Sequence, residues 1–141
     1  MAHILVLEDD AILAGQLQEL LETEDHTVVL FPTVAEALDY VKQNEVDLII
    51  TDIFIKEKGK HNAVGGVTLI STIKQLMKKE VPIIAISGAF TGPDHEHSNS
   101  GLIRETARTV GATVLLAKPF TPAELFYLVT VCLEHGTPEK R

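Results

Sequence analysis

Asp47-Leu48-Ile49-Ile50-Thr51-Asp52 is the stretch on which the fold turns. Aliphatic and β-branched side chains follow one another without polar alternation, as in a strand covered on both faces, and the run ends on a carboxylate. Strands of this kind belong to parallel sheets enclosed by helices. Four more runs share the character: Ile4–Leu7, Val28–Phe31, Ile83–Ile86 and Thr113–Ala117. Helix-period stretches separate them, so the repeating unit is strand then helix, and the expectation is an α/β fold with a five-stranded, doubly wound parallel sheet flanked by five helices.

The helices carry their own punctuation. The first is read from Asp10 to about Glu24, with Ile12, Leu13, Leu17, Leu20 and Leu21 on one stripe and Asp10 as N-cap. Thr33 with Glu36 makes the capping-box pattern of the second. The third follows Gly65-Gly66 and presents Val67, Leu69, Ile70, Ile73 and Leu76. The fourth runs from about Ser100 to Val110 and stops at Gly111. The fifth begins with Pro122 as its first residue and ends at Gly136.

Composition agrees. Hydrophobic residues make up 45% of the 141, yet aromatics are only 5% and Trp is absent, so the core has to be aliphatic. A net charge of −8 argues against direct nucleic-acid binding, which needs clustered Lys and Arg. The apolar run before Glu8 is too short for a signal peptide or a membrane span, so a cytoplasmic protein without membrane contact is expected. The single cysteine, Cys132, lies in an apolar stretch and reads as a small buried thiol. With no repeat or linker, one domain is expected over residues 1–135, followed by a short tail at 136–141.

Two connections, 53–65 and 88–99, are longer than this architecture requires, and both follow strand C-termini. Ligand sites of open α/β sheets lie beyond those ends, so both loops would rim any site there. Glu8 and Asp9 close the first strand and Asp52 the third. If those strands are neighbours, the carboxylates converge. Two unit charges about 4 Å apart repel by about 4 kcal/mol at an effective dielectric of about 20, which calls for a compensating cation or a raised pKa. A hard divalent ion with oxygen ligands, Mg²⁺, answers that need. Lys118 ends the fifth strand and Ser87 the fourth, which adds an ammonium and a hydroxyl to the same crevice. A carboxylate nucleophile, a metal pair, an ammonium and a hydroxyl form the inventory of phosphoryl transfer.

In Ile4–Asp10, Asp47–Asp52, Pro82–Ala89 and Lys118-Pro119-Phe120 the sequence resembles the response-regulator receiver family of two-component signalling, over essentially its whole length. The resemblance implies a flavodoxin-like sheet of order 2-1-3-4-5. It implies Asp52 as phosphoacceptor, and Mg²⁺ bound by Asp9, by Glu8 through water, by Asp52 and by the main-chain carbonyl of Phe54. Ser87 would be the switch hydroxyl, Lys118 the phosphate grip, and Lys118–Pro119 a cis peptide. A histidine kinase or histidine phosphotransfer protein would be the donor. A downstream protein would be met in trans, since only six residues remain beyond the last helix, and a homodimer could form through the fourth helix, fifth strand and fifth helix.

The sequence departs from the family at Leu115, where a Tyr or Phe usually stands three residues before the lysine, and in the extended loop after Asp52. Other readings remain beside the phosphoacceptor. An unphosphorylated receiver could serve only as a docking module. A haloacid-dehalogenase-type phosphatase also uses a strand-end aspartate, but needs an acid where Phe54 stands. A flavin-binding protein of the same fold is a further reading, although Glu8-Asp9-Asp10 would repel the flavin phosphate. His95-Glu96-His97 and the Lys56, Lys58, Lys60 and His61 run read as solvated loop.

Overall fold

A computed structural model describes residues 2–53, 55–57, 60–62, 65–87 and 108–135. Its strands are β1 (His3–Leu7), β2 (Thr27–Phe31), β3 (Leu48–Asp52), β4 (Ile55–Glu57), β5 (Lys60–Asn62), β6 (Ile83–Ser87) and β7 (Val114–Ala117). Its helices are α1 (Ala11–Thr23), α2 (Val34–Gln43), α3 (Gly65–Ser71, continued by a π-helical turn over Thr72–Leu76), α4 (108–110 as far as it is described) and α5 (Pro122–His135).

Five strands form one sheet in the order β2-β1-β3-β6-β7, and each neighbouring pair is parallel. Counting only these strands, the order is 2-1-3-4-5, as expected. Alternation along the strands decides which helix each side chain meets. Leu5, Leu7, Ile49, Ile83 and Ala85 pack with Ala37 and Val41 of α2 and with Leu69, Ile70 and Ile73 of α3 and its π turn. Ile4, Val6, Leu48, Ile50, Ile84 and Ile86 turn the other way, onto Leu17 and Leu21 of α1 and Leu125, Val129 and Cys132 of α5. Both faces are therefore covered, which is why these strands show no polar alternation.

Local chemistry sets the helix starts. The Asp10 carboxylate accepts from the N–H groups of Ile12 and Leu13 at 3.0 and 3.2 Å. Thr33 accepts from the Glu36 N–H, and its hydroxyl donates to the Glu36 carboxylate at 2.8 Å. Thr121 and Glu124 complete a reciprocal capping box at the start of α5, with N–H to side-chain bonds of 2.8 and 3.1 Å. Gly111, expected to stop α4, has φ 137°, a conformation that favours glycine.

Three expectations change. Ile12 is 75% exposed, although the stripe included it. At about 100° per residue it lies on the opposite side of α1 from Leu17 and Leu21, and the third buried residue of the helix is Ala14. Leu76 is 78% exposed because the π turn, closed by Met77 N–H to the Thr72 carbonyl at 2.8 Å, shifts the phase of the last turn away from the α-helical stripe. The connection after β3 is no plain loop: it holds the antiparallel pair β4–β5, with Lys56 opposite His61 and Glu57 opposite Lys60. The connection at 88–99, most of the expected fourth helix, and the tail at 136–141 lie outside the described residues, as does His95-Glu96-His97.

Candidate functional site

Parallel pairing carries the chemistry to one edge of the sheet. Leu7 is in register with Thr51, which sets Glu8 and Asp52 one residue further along adjacent strands. Asp52 pairs with Ile86, so Ser87 follows on the next strand. Ser87 in turn pairs with Ala117, and Lys118 comes next. The Lys118 N–H donates to the Ser87 carbonyl at 2.9 Å and the Ile53 N–H to the Ile86 carbonyl at 2.9 Å, extending the ladder to the rim.

Glu8, Asp52 and Ser87 are buried, the only charged ones among the described buried residues being the two carboxylates. Lys118 compensates them. Its Nζ donates to Asp52 Oδ2 at 2.6 Å and lies 3.6 Å from Glu8 Oε1. Burial pulls the Lys118 ammonium toward losing its proton, but the hydrogen bond and charge of Asp52, aided by Glu8, outweigh that and raise its pKa above the ordinary value. Glu8 is raised to about 7, first by burial and then by the charge of Asp52, against the pull of the Asp10 N–H and Lys118. The Asp10 N–H donates to Glu8 Oε2 at 3.0 Å and so orients the carboxylate. The other oxygen, Oε1, is buried without a hydrogen-bond partner among the described residues.

An oxygen in that condition asks for a cation, and the donor set fits a hard one: carboxylates at a partly open rim suit Mg²⁺, which takes one or two of them and keeps water or phosphate as its other ligands. Among the described residues no three His, Cys, Asp or Glu side chains are arranged as a cage. The sequence-expected triad is thus seen as the pair Glu8 and Asp52 bridged by Lys118, with Asp9 half-buried in the following turn. Phe54, the expected carbonyl ligand, lies outside the described residues. The Lys118–Pro119 peptide bond is cis.

Residues 4–130 match the family model of the response regulator receiver domain. The chain belongs to that family. Among curated proteins the receiver is 31% identical over 122 residues to Regulatory protein VanR of Enterococcus faecium, an alignment covering 86% of this chain and 46% of VanR. It spans about half of that relative. A 14.6 kDa protein of Leptolyngbya boryana is 30% identical over 127 residues, with 89% and 86% covered. The crystal structure of the receiver domain of NtrX from Brucella abortus superposes with a TM-score of 0.77 at 24% identity, covering 94% of this chain and 99% of that one, a likeness of fold.

Leu115 of this receiver is in register with Ala85 and packs half-buried against the α2 and α3 side of the sheet. Sequence reasoning missed one feature that bears on the site. Gly66 lies in the first turn of α3, and its N–H donates to the Ile53 carbonyl at 3.1 Å. A Cβ at this position would overlap the Asp52 carbonyl oxygen and come within 2.6 Å of Ile53 Cα. The glycine pair signalled only a helix start; the close approach arises from tertiary packing.

Proposed function

We propose that this receiver is a phosphoacceptor, in which Asp52 takes a phosphoryl group from a histidine kinase or histidine phosphotransfer protein and a partner-binding surface changes as a result. The observation that carries the reading is the buried bridge of Lys118 to Asp52 and Glu8 at the C-terminal rim of the sheet. A carboxylate oxygen of Asp52 attacks the phosphorus of the donor phosphohistidine. The new P–O bond replaces the P–N bond, and the imidazole leaves with a proton. Lys118, whose ammonium moves from the carboxylate to a phosphoryl oxygen, offsets the negative charge on the transferred group. Ser87 offers a hydroxyl from the neighbouring strand end.

Glu8, Asp9 and Asp52, with the Phe54 carbonyl, would hold Mg²⁺, which when bound supplies positive charge for the phosphoryl oxygens. Small shifts of Ser87 and Lys118 then bias the surface built from α4, β7 and α5, where a downstream protein in trans or a second copy would dock. A cytoplasmic setting fits a kinase-fed switch, and among the described residues no helix is long and apolar enough to cross a membrane. The test is incubation with acetyl phosphate and Mg²⁺. A hydroxylamine-labile adduct is expected, lost in Asp52→Asn and without Mg²⁺. No adduct on the wild-type protein would leave a docking module as the function.

A further inference from the structure

We propose that Thr51 and Gly66 are positioning residues for the phosphoacceptor, acting together on the main-chain carbonyl of Asp52. The inference rests on the reading of Asp52 as phosphoacceptor and names residues outside the acid pocket, Ser87 and Lys118. The Thr51 hydroxyl donates to the Asp52 carbonyl oxygen at 3.0 Å, and Thr51 is fully buried, so water does not compete for that oxygen there. Gly66 meets the same oxygen from the start of α3, where only a hydrogen atom fits. Its N–H, bonded to the Ile53 carbonyl, ties the helix to the chain one peptide further on and keeps it seated there.

The consequence is geometric. The carboxylate of Asp52 swings from a Cα whose following peptide plane is held by a hydrogen bond and by van der Waals contact. Fixing that plane fixes the direction from which the oxygen nucleophile approaches phosphorus, and in-line attack depends steeply on direction. A methyl group at position 66 would push α3 or the end of β3 by about 1 Å, since packed backbone has no slack to absorb it. A methyl in place of the Thr51 hydroxyl keeps the volume and removes only the hold on the carbonyl.

The experiment compares wild type with Thr51→Val, Thr51→Ser, Gly66→Ala and Gly15→Ala, using acetyl phosphate with saturating Mg²⁺ and following the adduct by intact mass. Thr51→Val is expected to lower the maximal rate about tenfold, with less than about a twofold change in the half-saturating acetyl phosphate concentration. Thr51→Ser keeps the hydroxyl and should restore the rate. Gly66→Ala should lose on the order of 100-fold in rate beyond any loss of folded fraction measured by circular dichroism. Gly15→Ala, with open space around it, should match wild type. An unchanged Thr51→Val rate overturns the proposal, as does Thr51→Ser behaving like Thr51→Val. If Gly66→Ala does not fold, the Thr51 pair decides alone. A wild-type protein that takes no phosphoryl group overturns the phosphoacceptor reading and this proposal together, whereas a labelled wild type with unaffected variants overturns only this one.

Discussion

Lys118 Nζ lies 2.6 Å from Oδ2 of Asp52, inside a rim where Lys118 is 24% exposed and the Asp52 side chain 7%. The ammonium holds two buried carboxylates together, since Glu8 Oε1 is 3.6 Å away on its other contact. Removing it leaves Asp52 and Glu8 facing each other across low-dielectric space, and breaking a buried pair on one side costs about 3 kcal/mol. Lys118→Met should therefore lower the unfolding free energy of the metal-free protein, read from urea titration, by that order. Millimolar Mg²⁺ should recover more stability in the variant than in wild type. Equal Mg²⁺ effects in the two proteins would show that the cation and the ammonium do not share these carboxylates.

Gly15 stands in the interior of α1 with nothing within 4 Å of a built Cβ. A glycine there costs backbone entropy that no contact returns, so Gly15→Ala should stabilise by about 0.5–1 kcal/mol and raise the melting temperature by about 2–5 °C. Differential scanning calorimetry reads the shift, and a lower melting temperature would count against the open environment.

The two faces of α1 differ sharply in what they hold. Leu17 is 1% exposed and Ile12 75%. Leu17→Ala should cost about 3 kcal/mol through lost burial and the cavity it leaves, whereas Ile12→Ser should stay within about 0.5 kcal/mol of wild type. Denaturant titrations of the two variants test the assignment; comparable losses would place Ile12 in the core after all.

That pair also marks where sequence reading reaches its limit. β1, β3 and β6 were legible because burial on both faces leaves unbroken apolar runs, and the caps Asp10 and Thr33 were legible because capping is local chemistry. Ile12 and Leu76 were misplaced because a one-residue phase error, or one π turn, rotates a side chain out of a stripe without changing composition. The β4–β5 pair was missed because Lys and Glu dominate it and no apolar alternation announces it. At the site, register on a parallel sheet brought Glu8, Asp52, Ser87 and Lys118 to one rim, which strand ends alone foretell. The bond from the Asp10 N–H to Glu8 and the seat of Gly66 on Asp52 depend on how turns and helices pack, and no sequence spacing encodes them.

Cys132 is 1% exposed on α5, packed against the sheet, and burial pushes its thiol pKa up. Both effects suppress the thiolate, which is the reactive form. Labelling by an aromatic disulfide reagent at pH 8 should be slower than labelling of the urea-unfolded chain by several orders of magnitude, with a rate that follows unfolding. Fast labelling of the native protein would mean that α5 opens locally.

Glu8 gives the protein a pH dependence whose sign can be worked out. Its folded pKa, about 7, exceeds the ordinary 4.5, chiefly through burial and then through the charge of Asp52. The unfolded chain therefore releases this proton first as pH rises. The contribution of Glu8 to stability is fully present below about pH 4.5, falls as pH climbs toward 7, and is lost above that, a change on the order of 3 kcal/mol. In the metal-free protein the urea midpoint should decline over this window, and Glu8→Gln, which carries no charge to bury, should flatten the decline. The proton must leave before the carboxylate can serve a cation, so Mg²⁺ affinity measured by calorimetry should rise with pH up to about 7 and level off, with proton uptake by the buffer below it. A Glu8→Gln profile that keeps the wild-type slope would assign the titration to another group.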